Sequence, residues 1–76
     1  MAETTVAHIN GVTVAASGIF QEDDGVNRVD LTVNRVKVPD LAVGDTFDIN
    51  DAEYTIADLI PSDQPRKGKI VIAPVA

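Results

Sequence analysis

The chain has 76 residues, with twelve acids against six bases, one histidine and no cysteine. A chain this short makes one domain, 1–76, with a thin core, because it buries only about 60% of the surface it exposes when unfolded; disulfides are excluded, and a structural zinc site nearly so, with His8 as the sole nitrogen ligand. The net charge of −6 opposes specific nucleic-acid recognition, and no apolar run approaches the ~20 residues of a membrane-spanning helix.

Met1-Ala2-Glu3-Thr4-Thr5 is polar and acidic, unlike a signal peptide. Residues 1–4 are expected to be a flexible terminus, and the chain is expected in the cytoplasm of the cell that makes it. Beyond Thr5 the apolar residues are mostly Val and Ile, with Thr beside them, and they alternate rather than repeat every 3.6 residues, which points to strands. Residues 5–9 and 12–16 flank Asn10-Gly11, the strongest short hairpin signal because both turn positions need positive φ. Val12, Val14 and Ala16 share one face. Gly18 permits a bend or bulge, and Ile19-Phe20 carry the strand on. Residues 21–27, QEDDGVN, form an acidic loop expected to be mobile.

Val29, Leu31 and Val33 line one face of the next strand, but Val36 and Val38 fall out of phase with them. A bulge or turn at Asn34-Arg35 must absorb one residue. Pro39 has no N–H for a ladder, so pairing is expected to stop there and 39–45 to be a connection. With Asn50-Asp51 as a two-residue turn, Ile49 faces Ala52, and Phe47 faces Tyr54 as an aromatic cross-strand pair. The phase slips again after Ile56, so Leu59 and Ile60 require a second bulge or a strand end. Pro61 ends the strand, 62–69 is a charged loop expected to be mobile, and Ile70-Val71-Ile72 is the last strand. The whole is an all-β domain, a small antiparallel barrel or sandwich of about six strands in one meander. Its core includes Phe47, Ile49, Tyr54, Ile56, Leu31 and Val33. The last strand is apolar on both faces, and a thin core accepts Ile70 and Ile72, or Val71, but not all three. Val36, Val38, Val43 and Val75 add apolar groups beside turns or ends, and spare apolar surface marks an interaction site.

Chemistry is sparse. His8 lacks companions for catalysis or metal binding and reads as a surface or rim histidine. Asp48-Ile49-Asn50-Asp51 starts like a calcium loop, but Glu53 stands where that loop needs Gly, and Leu59 where it needs a bidentate Glu. Glu22-Asp23-Asp24 reads as a solvated turn. Arg66-Lys67-Gly68-Lys69 is the only cluster of consecutive bases, without the glycine pattern of a phosphate loop. No paired carboxylates stand in an apolar context, so no catalytic residue, cofactor or metal is expected. The candidate interface is Arg66, Lys67, Lys69, Glu22, Asp23, Asp24, Val71 and Val75.

One stretch carries a resemblance. From Asp30 to Asp63 the chain shows Leu31-x-Val33, Val38, Leu41, Gly44-Asp45-Thr46, Ile49, Tyr54, Ile56, and Pro61 before Asp63. Gly18-Ile19-Phe20 with the acids Glu22-Asp23-Asp24 precedes it, and residues 70–74 come after it as a closing strand. This pattern resembles the head–tail joining proteins of tailed phages, the lambda-type connector family. The resemblance implies a structural virion protein and not an enzyme. It would form a ring, a hexamer or dodecamer, that closes the DNA-filled head and offers the tail its attachment surface. It also implies a portal or head-completion protein and tail proteins as partners, and a place at the head–tail junction after synthesis in the host bacterial cytoplasm. Two other readings share the β module: another phage tail or baseplate protein, and a small cellular protein-binding adaptor of the OB or SH3-like kind.

Overall fold

The computed structural model describes residues 1–65 and 67–75. Its strands are β1 (Val6–Ile9), β2 (Val12–Ala16), β3 (Phe20–Gln21), β4 (Asn27–Val33), β5 (Val36–Leu41), β6 (Thr46–Ile49), β7 (Ala52–Ile60) and β8 (Lys69–Pro74). The all-β expectation holds, as two antiparallel sheets that do not close into a barrel. The first sheet runs β1-β2-β4, with β3 continuing the β2 side of β4 and β5 on its other side. The second is β6-β7-β8.

Eight strands among the described residues replace the expected six or so, because two breaks are complete. Residues 17–19 separate β2 from β3, and Asn34-Arg35 is a hairpin turn with both residues at positive φ, 48° and 69°. Asn10-Gly11 (50°, 82°) and Asn50-Asp51 (52°, 67°) repeat the device. The hairpin register is the expected one, Ile49 opposite Ala52 and Phe47 opposite Tyr54. The slip after Ile56 is a bulge at Ala57, since Ile56 faces Ile72 and Asp58 faces Val71.

One boundary is corrected. Pairing does not stop at Pro39: Leu31 faces Val38 and Val29 faces Leu41, so β5 runs two residues past the proline. The single Asp30 opposes Pro39 and Asp40, a bulge in which no ladder donor is needed from the proline. Asp40 takes φ 59°, and its N–H is held by the Asp30 carboxylate at 2.9 Å.

The core lies between the sheets. Val14, Ala16, Val29, Leu31, Val33 and Leu41 from the first sheet meet Phe47, Ile49, Ile56, Leu59 and Ile70 from the second. All expected core residues are buried except Tyr54, which is half-buried against the cluster. Of the three apolar residues of the last strand, Ile70 and Ile72 turn inward and Val71 outward.

The Gly44-Asp45 turn joins the sheets. Gly44, at φ 94°, donates to the Ile56 carbonyl, Ile56 N–H returns the bond to Asp45, and the Asp45 carboxylate accepts from Ala42 N–H at 2.9 Å. The glycine supplies a left-handed conformation that a side chain would strain. Met1 to Glu3, expected to be flexible, lie along the start of β8: Ala2 bridges Lys69, and Met1 and Ile70 exchange hydrogen bonds of 2.7 Å.

Candidate interaction surfaces

Strand direction and turn contacts give the molecule, 33 × 22 × 19 Å across, two unlike ends. At one end stand the three tight turns. The Asn10 amide donates to Ile49 O at 2.9 Å, and the Asn50 amide donates to Asn10 O at 3.0 Å, so two turns from different sheets hold each other. The Asn34-Arg35 turn is tied alongside by Asn34 N–H to Thr13 O at 2.9 Å.

The opposite end carries the longer connections. One carboxylate organises it: Glu3 accepts from Ile19 N–H at 2.7 Å and from Gly68 N–H at 3.1 Å, while Glu3 N–H donates to Gly68 O. Gly68 is buried, and a Cβ there would come within 3.0 Å of Ile60 O and 3.1 Å of both Glu3 and Ile19. A side chain there would require these neighbours to give by a few tenths of an ångström.

The sequence-derived candidates divide between this end and the outer face of β8. Glu22, Asp23 and Asp24 are exposed in the β3–β4 turn. Asp24 is engaged there, pairing with Arg28 at 2.8 Å and capping Val26 N–H at 2.9 Å. Lys67 is exposed, as is Lys69 opposite Ile60 at the start of β8. Arg66 lies outside the described residues. Val71 faces outward from β8, and Val75 follows the end of the strand; they are 40% and 46% exposed, with Ile60 at 45%. Asp58 opposes Val71, and the Glu53 carbonyl accepts from Val75 N–H, so acidic residues of β7 run beside this apolar edge. The basic and acidic loops therefore share an end, and the valines run along an adjoining face. His8 is exposed on β1.

A further surface escaped the sequence reading. Thr13, Ala15, Thr32, Asn34 and Arg35 line an open concavity of about 510 Å³ on the outer face of the first sheet. Register explains it. Ala15 faces Thr32, so short side chains form the floor while Arg35 lines its edge, and Lys37 stands opposite Thr32 on the next strand. Val6 and His8 extend the same face, opposite Ala15 and Thr13. Among the described residues neither Arg35 nor Lys37 forms an ion pair, whereas Arg28 is paired. The available signal was Thr13-x-Ala15 and Thr32, small residues at outward positions of strands whose inward positions are mostly large.

Among the described residues no three His, Asp or Glu side chains converge as a metal site. No buried side-chain nitrogen or oxygen atom lacks a hydrogen-bond partner among them. What the surface offers is charge, shape and apolar edge. Comparison of the chain with family models, curated proteins and solved structures finds no match.

Proposed function

We propose that this chain is a structural virion protein, a ring-forming head–tail connector without enzymatic activity. The observation that carries the reading is the resemblance over residues 30–63. Several of its matched positions are ones on which this fold depends. Leu31, Val33, Leu41, Ile49 and Ile56 are buried in the core, and Gly44-Asp45 forms the turn between the sheets. A ring suits such a molecule, because heterologous contacts join different patches of identical subunits, and the two ends and faces here are unlike. Partners would be the portal or head-completion protein on one side and tail proteins on the other.

Removal of the protein should leave filled heads and finished tails that fail to join, counted by electron microscopy after in vitro complementation. Unfinished tails would instead assign it to the tail or baseplate. Joined, infectious particles made without the chain would overturn the reading. The basic loop is the proposed polar contact with the docking partner. Replacing Arg66, Lys67 and Lys69 with Ser should reduce joining while leaving the fold intact, since the exposed charges of Lys67 and Lys69 contribute little to stability and complementary charge mainly guides encounter. Undiminished joining would remove the loop from the contact and spare the connector.

A further inference from the structure

We propose that the basic concavity on the outer face of the first sheet receives the acidic β3–β4 turn of a second copy of this chain. The proposal rests on the ring reading and specifies the surfaces by which neighbours meet.

Three observations lead to it. The concavity has a floor of short side chains, Thr13, Ala15 and Thr32, that leaves the backbone approachable. Arg35 lines it and Lys37 stands opposite Thr32 on the adjoining strand, cations without an ion pair among the described residues of a molecule whose net charge is −6. The complementary element is on the same chain: Glu22 and Asp23 are exposed at the tip of a compact turn, closed by Gly25 N–H to Glu22 O at 2.9 Å. Asp24 is already occupied by Arg28 and Val26, which fixes the turn's shape and leaves the other two acids to face outward.

Geometry decides between self-contact and contact with a neighbour. The acidic turn precedes β4 and Arg35 comes after it. A strand of seven residues sets them about 20 Å apart along a rigid element, too far for one copy to close on itself. The two surfaces are thus donor and acceptor of a head-to-tail contact, which repeats from copy to copy. The concavity opens sideways from the sheet rather than off its tip. A contact of this kind closes into a ring when its rotation is a whole fraction of a turn, and runs on as a filament when it is not. Long-range acidic repulsion opposes the contact, which keeps the free protein only weakly associated.

Charge reversal tests it. One variant carries Arg35→Glu and Lys37→Glu; the other carries Glu22→Lys and Asp23→Lys. Each should weaken self-association about tenfold or more, by placing like charges together. Mixed one to one, the two should associate again, because each acidic concavity then meets a basic turn and each native concavity a native turn. Sedimentation up to about 1 mM protein, the range of weak contacts, reads the effect. Circular dichroism confirms the fold of each variant, and the neutral pairs R35Q/K37Q and E22Q/D23N give the same ranking if a reversal disturbs folding. Wild-type protein that stays monomeric throughout, reversals without effect, or a mixture that does not recover would each overturn the contact. So would a concavity whose reversal abolishes binding to polyglutamate but leaves self-association intact. Head–tail joining that persists in any of these cases leaves the connector standing, so the two ideas fail separately.

Discussion

The two ends of the molecule solve the same problem, returning the chain into a sheet, by opposite means. At the turn end, three pairs of residues reverse the chain, each led by asparagine: Asn10-Gly11, Asn34-Arg35 and Asn50-Asp51. Their conformation is local, because asparagine tolerates positive φ with little help. At the loop end, the connections 17–19 and 61–68 have no such rule. They are held by Glu3, which joins residues 16 and 65 positions away through one carboxylate. Turns built from local preference form wherever their few residues occur, and only the tie between the Asn10 and Asn50 turns spans the chain. An end built from a long-range clamp exists only once the rest has folded.

The largest effect should come from the core that both ends share. Leu31 is fully buried in β4, between the β2 and β5 ladders. Leu31→Ala should cost about 2–5 kcal/mol, from lost transfer energy and the cavity left behind. A domain of this size has a margin of that order. Urea unfolding followed by circular dichroism should show a midpoint near zero denaturant, with both ends lost together. A variant that kept the turn end while losing the loop end would show that the two are separate units.

This contrast explains what could be read from the sequence. The turns, the facing of Phe47 and Tyr54, and the bulge after Ile56 all derive from period-two alternation plus residues suited to positive φ. The Asn34-Arg35 turn was legible only as a break in phase, since Arg lacks the turn preference of Gly. The continuation of β5 past Pro39 was not legible. It depends on the Asp30 carboxylate supporting Asp40 from ten residues away, which no local rule contains. The pairing of Met1, Ala2 and Glu3 with the region of β8 is of the same kind. Among candidate surfaces, the charged loops announce themselves by composition. The concavity does not, because it is made by small residues from β2 and β4 that register alone brings together.

Next in size are changes at the loop-end clamp. Glu3→Ala leaves the half-buried N–H groups of Ile19 and Gly68 without this acceptor and should cost about 1–3 kcal/mol. Gly68→Ala should be destabilising for a different reason, the approach of its Cβ to within 3.0 Å of the Ile60 carbonyl. Thermal melts of each variant and of the pair distinguish the two causes. The combined loss should fall short of the sum, because both substitutions disrupt one contact. Full additivity would mean that Glu3 and Gly68 act independently.

At the turn end the matching test is smaller. Asn10→Asp and Asn50→Asp retain a residue suited to positive φ but remove the amide donors to Ile49 O and Asn10 O. Each should cost about 0.5–1.5 kcal/mol, the net worth of an intramolecular hydrogen bond. A double-mutant cycle should show coupling between them, since the two side chains serve one junction between sheets. Zero coupling would make the turns independent hairpins and sharpen the view of that end as purely local.

The smallest energies separate the ends by motion. Amide exchange measures the free energy of opening at each hydrogen bond. In the β3–β4 turn, Gly25 and Val26 bond only within the turn, to Glu22 O and to the Asp24 carboxylate, and the turn is exposed. Among the described residues Lys67 N–H likewise reaches only Gln64 O. Opening these costs no core contact, so their exchange should be nearly unprotected. Asn34 N–H, by contrast, bonds Thr13 O on a neighbouring strand, and breaking it peels β4 from β2. Its protection should approach that of the sheet. Ile19 is the informative case, because its N–H lies at the loop end but bonds the Glu3 carboxylate. It should exchange slowly in the wild type and fast in Glu3→Ala, while Asn34 slows or quickens only with global stability. If Ile19 is as fast as Gly25 in the wild type, Glu3 does not hold that end together, and the contrast between a local end and a clamped end fails. If Gly25 is as slow as Asn34, the acidic turn is rigid before assembly, and docking on a neighbour would require no ordering at all.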